Sequence, residues 1–115
     1  MLNPVLSDAI SSIKAAYKKS KAPIWLALGN MLEKRGSRRV EVNLSKIAKH
    51  TKNGSVVVVP GKVLGTGNIE HKVTICAFSL SQSAAKKIIN SGGKIVEIKE
   101  FIDKFPEGSK VTIIA

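Results

Sequence analysis

What the sequence lacks narrows its chemistry. There is one cysteine, Cys76, in 115 residues, so no disulfide can form within the chain and a reducing compartment is expected. The two histidines, His50 and His71, stand in no Cys-x-x-Cys or His-x-x-x-His spacing, and no metal site is expected. Aromatic residues make up 4%. The core must therefore be built from Val, Ile, Leu and Ala, and stacking of bases on an open sheet is not expected. No apolar run approaches the roughly 20 residues that span a bilayer. The opening "MLNPVLSDAI" carries Asp8 and no basic residue ahead of its apolar positions, unlike a secretory signal. These absences lead us to expect a soluble, cytoplasmic chain with no membrane partner. Acidic residues are scarce too: eight, against nineteen Lys and Arg, for a formal net charge of +11.

That charge is unevenly spread. Between Lys14 and Lys62, twelve basic residues meet two acidic ones, Glu33 and Glu41, whereas from Val63 onward seven meet five. Like charges repel in a compact state, so such an excess calls for an anionic partner, and nucleic acid is the expected one. Lys14, Lys18 and Lys21 line one edge of the first helix. Arg35, Arg38 and Arg39 surround Gly36 and Ser37, placing guanidinium forks suited to phosphate oxygens on a turn. Lys46, Lys49 and His50 follow at i, i+3 and i+4 of a helix after Asn43, with Lys52 just beyond and Ile47 on the opposite side.

The elements read as mixed α/β. Asn3 can cap a helix opened by Pro4, whose stripe is Val5, Leu6, Ala9, Ile10, Ile13 and Tyr17. Pro23 opens a second helix with Ile24, Leu28, Met31 and Leu32 inward. The chain then repeats strand, helix, glycine turn, strand: "VEVNLSKIAKHTKNGSVVVV", "ICAFSLSQSAAKKIINSGGKIVEI" and a compressed "IVEIKEFIDKFPEGSKVTII". Serine suits the helix starts and glycine the left-handed residue after a helix. Strands such as Val56–Val59 are apolar on both faces and should be covered on both. One domain, 1–115, is expected, with N-terminal helices and a basic turn over 1–39 and the α/β core over 40–115.

The stretch "VVVVPGKVLGTGN", Val56–Asn68, sets glycines and a lysine after an apolar run, as phosphate-binding loops do. A P-loop needs G-x-x-x-x-G-K-[ST], yet the sixth position from Gly61 is Thr66 and no Lys-Ser or Lys-Thr follows Gly67. A dinucleotide fingerprint fails as well, because its third glycine position is Glu70. No cofactor, small-molecule substrate or catalytic activity is expected. Two readings of the turn beside Lys62, His71 and Lys72 stay open: a tight connection between core strands, or a close approach to a sugar-phosphate backbone. Cys76, among Ile75, Ala77 and Phe78, reads as a buried inert thiol. Glu97, Glu100 and Asp103 read as a solvated helix edge, and Trp25 as a packing residue.

The segments "VEVNLSKIAKHT", "VVVVPGKVLGTG" and "HKVTICAFSLSQSAAKKIINSGG" together resemble the archaeal and eukaryotic large-subunit ribosomal protein family L-eighteen-e, related to bacterial L-fifteen. The resemblance runs from about Asn3 to the end, and the short length is similar to the archaeal form. It implies an irregular superhelix of ββα turns after two N-terminal helices. It also implies a non-catalytic, structural role in the large ribosomal subunit, with large-subunit ribosomal RNA and neighbouring ribosomal proteins as partners. By motif match, Asn43, Ser45, Lys46, Gly61, Lys62, Gly65, Gly67, His71 and Lys72 are the residues expected to touch RNA, together with the arginine turn. The sequence departs from the expected pattern at Gly36 and Val40. Two other functions remain open at this point: a nucleic-acid binder outside the ribosome, and a nucleotide-dependent enzyme using the glycine loop. A basic helix at a membrane surface, Ile10–Lys21, competes with the core for the same apolar stripe.

Overall fold

Proline fixes the backbone angle a helix start needs and lacks only an N–H that would be unpaired there. In the computed structural model, which describes residues 4–35 and 40–115 and the side chains of 8–34 and 40–115, Pro4 opens helix α1 (Pro4–Ser20) and Pro23 opens α2 (Pro23–Arg35). The expected cap Asn3 lies outside the described residues, as do Arg38 and Arg39. Helix α1 ends where Lys21 turns left-handed (φ 60°) and its N–H donates to the Tyr17 carbonyl. The inward stripe is as the spacing predicts at Ala9, Ile10, Ile13, Leu28 and Leu32, with Trp25 added to it.

The rest of the chain runs β1 (Val40–Asn43), α3 (Leu44–Lys49), β2 (Ser55–Leu64), β3 (Val73–Leu80), α4 (Gln82–Asn90), β4 (Lys94–Ile95), α5 (Ile98–Lys104) and β5 (Val111–Ile113). Every strand pairing is parallel, in the order β1-β2-β3-β4, with β5 also on β2. Because β3 occupies one edge of β2, its other edge is shared end to end: β5 takes Val56–Val58 and β1 takes Gly61–Leu64. The three sequence repeats are the three βαβ passages, through α3, α4 and α5.

Alternation along β2 and β3 divides the core. Val58 and Cys76 face α1, α2 and α5, packing with Ile13, Trp25, Leu28 and Phe101. Val57, Val59, Val63, Val73 and Ile75 face α3 and α4, packing with Leu44, Ile47, Ala84 and Ile88. Burying a strand on both faces is what a parallel sheet requires, and it accounts for the unbroken valine run.

Two expectations are corrected here. Gly61 and Lys62 do not lie in a loop. They belong to β2, whose register slips between Val59 and Lys62 around Pro60, a place where a strand tolerates a residue with no N–H. Nor is the segment that follows a tight connection. Since β2 and β3 run parallel, residues 65–72 must travel back along the whole sheet. At 3.3–3.6 Å per residue those eight residues reach roughly 26–29 Å, about the length of the strand they retrace. The return is therefore nearly extended, with no slack for a helix, and buried Ile69 fastens it to the sheet midway.

Candidate nucleic-acid interface

The basic residues do not share one surface. Helices α1 and α2 cover one face of the sheet and α3 the other, so the chain changes face between α2 and α3. The layer of α3, the 65–72 crossover and α4 (residues 44–54, 65–72 and 81–93) holds six lysines and one acid, Glu70; the layer of α1, α2 and α5 (8–35 and 97–107) holds eight cations and six acids. The face with fewer cations is thus the more positive one. In the other layer Lys14 Nζ sits 3.0 Å from Glu33, and Lys21 Nζ lies 5.5 Å from the Tyr17 ring centroid. Lys18 is exposed on α1. Arg35 closes α2, and its side chain lies outside the described set.

On α3, Lys46, Lys49 and His50 are exposed while Ile47 is fully buried, so the six-residue helix shows its cations outward. Lys46 Nζ donates to an Ala115 oxygen at 2.6 Å, and His50 Nδ1 lies 2.9 Å from the Lys46 carbonyl. Asn43 is the residue before the helix and is exposed, but its side chain makes no capping bond. Ser45 N–H is satisfied instead by the Thr66 carbonyl at 3.1 Å.

The crossover is seated between the two helices by its glycines. A Cβ on Gly65 would collide with Ser83, and one on Gly67, at φ 94°, would collide with Ser45. Gly61, one strand earlier, is pressed on the Val40 backbone and is buried, so its missing side chain serves the β1–β2 pairing. Lys62 pairs in register with Glu41 and Ser79. Alternation turns Lys62 to the sheet face opposite Val63, away from α3 and the crossover.

The polarity of the crossover tip is one-sided. Lys87 Nζ, from α4, donates to the carbonyls of Gly65 (2.8 Å) and Gly67 (2.7 Å), and Ser45 N–H takes the Thr66 carbonyl between them. Three successive acceptors are thereby turned inward and satisfied. The N–H groups of Thr66, Gly67 and Asn68 donate to nothing among the described residues, and all three residues are exposed. A loop that spends its acceptors and keeps its donors presents the polarity an anion requires. Sequence reasoning did not single out Lys87.

Farther along, the crossover is tied to the end of α3. Thr51 Oγ1 donates its proton to the Ile47 carbonyl, so the 2.7 Å contact with His71 Nε2 has the imidazole N–H donating to the hydroxyl. Lys72 N–H donates to Asn53 Oδ1 (3.0 Å), and Gly54 N–H donates to the Lys72 carbonyl (2.8 Å). Those bonds hold the Lys72 backbone while Lys52 and Lys72 stay exposed. Lys46, Lys49, Lys52 and Lys72 therefore share one layer with the donor-rich tip.

Other candidates resolve as packing. Trp25 is 1% exposed and donates from Nε1 to the Pro106 carbonyl, leaving no ring face for a base. Cys76 is buried among apolar groups, which pushes its thiol from 9.0 up to about 12, the opposite of what a nucleophile needs. Glu97, Glu100 and Asp103 are exposed. Among the described residues, no helix is long and apolar enough to cross a membrane, and no group of His, Cys, Asp and Glu could hold a metal.

Comparison with known proteins identifies the family of the chain. The family model described as "Ribosomal protein 60S L18 and 50S L18e" matches residues 26–115. The large ribosomal subunit protein eL18 of Methanococcus maripaludis is 43% identical over 113 residues, covering 98% of this chain and 94% of that protein. Its namesake in Archaeoglobus fulgidus is 40% identical over 112 residues, covering 97% of this chain and 96% of that protein. The one in Halobacterium salinarum is 38% identical over the same length, with the same coverage. The family is one of ribosomal proteins, not of enzymes. On the extent of the family match and these identities, the chain belongs to the family of ribosomal protein 60S L18 and 50S L18e.

Proposed function

We propose that this chain is a structural constituent of the large ribosomal subunit in the cytoplasm, and that it binds large-subunit ribosomal RNA mainly through phosphate contacts. The layer of α3, the crossover and α4 is the principal surface. Lys46, Lys49, Lys52 and Lys72 neutralise phosphates; the Gly65–Gly67 tip, with Asn43 and Ser45 beside it, approaches the sugar-phosphate backbone, and His71 does so at the far end of the crossover. Arg35, Arg38, Arg39 and Lys62 form a second group of contacts, with Lys14, Lys18 and Lys21 peripheral to it. Neighbouring large-subunit proteins cover part of the remainder. Gly61, which is buried, acts indirectly by pairing β1 with β2.

The observation that carries this reading is the tip's polarity, with three acceptors satisfied and the donors of an exposed segment unpaired among the described residues, in a layer of six lysines and one acid. Supporting it is the name that the relatives carry, large ribosomal subunit protein eL18. Phosphate binding by lysine releases condensed counterions, so affinity falls as salt rises, with a slope of about 0.7–0.9 per contact. Sedimentation tests the reading. The wild-type chain should travel with large subunits at moderate salt, whereas a variant with Lys46, Lys49, Lys52 and Lys72 all changed to Gln should remain at the top of the gradient while keeping its circular dichroism. Normal incorporation of that variant would contradict the proposal.

A further inference from the structure

We infer that Lys87 is the residue that shapes the phosphate-facing tip and also contacts a phosphate there. This inference rests on the RNA-binding reading above and deepens it. An ammonium group has three N–H donors and no acceptor. Two of the three are committed, to the Gly65 and Gly67 carbonyls at 2.8 and 2.7 Å. The third has no partner among the described residues, and the side chain is half-buried, at the edge of solvent. Lys87 is therefore held in place by the very loop whose donors stay unpaired among the described residues. Most surface lysines must surrender rotamer freedom when they bind a phosphate, whereas this one has already surrendered it.

The surrounding contacts give this arrangement one consistent geometry. Ser83 and Lys87 are four residues apart, one turn of α4, so they lie on the same side of the helix. Gly65 is pressed on Ser83 and bonded to Lys87, while Gly67 is pressed on Ser45 and bonded to the same ammonium. Helix α4 thus grips the tip at two points and sets it against the start of α3. Without Lys87, the Gly65 and Gly67 carbonyls lose their donor and are free to turn outward, where they would repel the phosphate oxygens that the N–H groups attract. Lys86, the next residue on α4, is exposed and makes no such bonds among the described residues, so it serves as an internal control.

The experiment compares Lys87→Met with Lys86→Met in the full chain. Both variants remove one charge and keep the stem, and circular dichroism checks the fold of each. Amide NMR of the unbound protein reads the clamp directly: K87M should move the Gly65–Gly67 resonances and K86M should not. Binding to large-subunit ribosomal RNA fragments at several salt concentrations reads the consequence. K87M should weaken affinity about tenfold, as expected for a lost charge-assisted hydrogen bond, and lower the salt slope by about one. K86M removes a charge from the same layer but no bond to the tip, so it should weaken affinity less than K87M does. Unmoved tip resonances in a folded K87M would overturn the clamp, and an unchanged salt slope would overturn the phosphate contact. If the wild-type chain fails to bind ribosomal RNA at all, the functional reading falls, and the clamp is judged on the resonances alone.

Discussion

Trp25 Nε1 donates a 2.7 Å hydrogen bond to the carbonyl oxygen of Pro106, which ties helix α2 to the turn after α5. The indole also meets Phe101 edge to face, at 90° and 6.3 Å between ring centroids. The largest aromatic of the chain is thereby spent on joining the helical layer opposite the principal RNA surface proposed above.

Trp25→Phe should keep most of the packing but strand the Pro106 acceptor, costing about 1–2 kcal/mol. Trp25→Ala should cost about 3–5 kcal/mol, because it also opens a cavity. Urea unfolding of the two variants separates the bond from the packing. A Trp25→Phe variant as stable as the wild type would mean that the hydrogen bond contributes nothing.

Gly61 and Gly54 should differ sharply in their tolerance of alanine. A Cβ at Gly61 would strike the Val40 backbone, which cannot swing aside without unpairing β1, and a loss of about 3 kcal/mol or more is expected. At Gly54 the space is open, so only the left-handed backbone (φ 90°) is strained, for about 1–2 kcal/mol. Denaturant midpoints of the two variants check the order.

Cys76 gives a pH signature. Its folded thiol is pushed up from 9.0 to about 12 by burial. Between those values the unfolded chain has released a proton that the folded chain retains. Stability is therefore complete below about pH 9 and falls as pH climbs towards 12. Cys76→Ala should flatten that alkaline loss in a pH series of unfolding curves. A native thiol should also resist a disulfide reagent until denaturant is added.

The Lys14–Glu33 pair spans α1 and α2 at 3.0 Å, but its side chains are 61% and 47% exposed. Glu33→Gln should change stability by less than about 1 kcal/mol, and less still in high salt. A larger loss in thermal melts would show a structural role that its exposure does not suggest.

Much of this fold was legible because glycine, serine and proline punctuate it. Pro4 and Pro23 marked both leading helices, and the paired turns at Gly54 and Gly92 marked the repeats. The direction of β3 was not legible. A connection of eight residues usually joins antiparallel strands, and only the tertiary pairing reveals an extended return with Ile69 pinned beneath it. Lys62 was misplaced for a related reason: the proline and glycine before it suggested a loop, whereas they mark an irregularity within β2. Clustering of cations along the sequence did not translate into one surface, since the chain changes sheet face between α2 and α3. Lys87 carried no signal at all, because its importance comes from a carbonyl pair twenty residues away.

The most direct test is a photo-crosslinking amino acid at Thr66, with Lys18 on the opposite layer as the comparison, in reconstituted large subunits. The expected result is a strong link from Thr66 to ribosomal RNA and a weaker one from Lys18. A Thr66 probe that reaches only protein, beside a Lys18 probe that reaches RNA, would contradict the assignment of the crossover face.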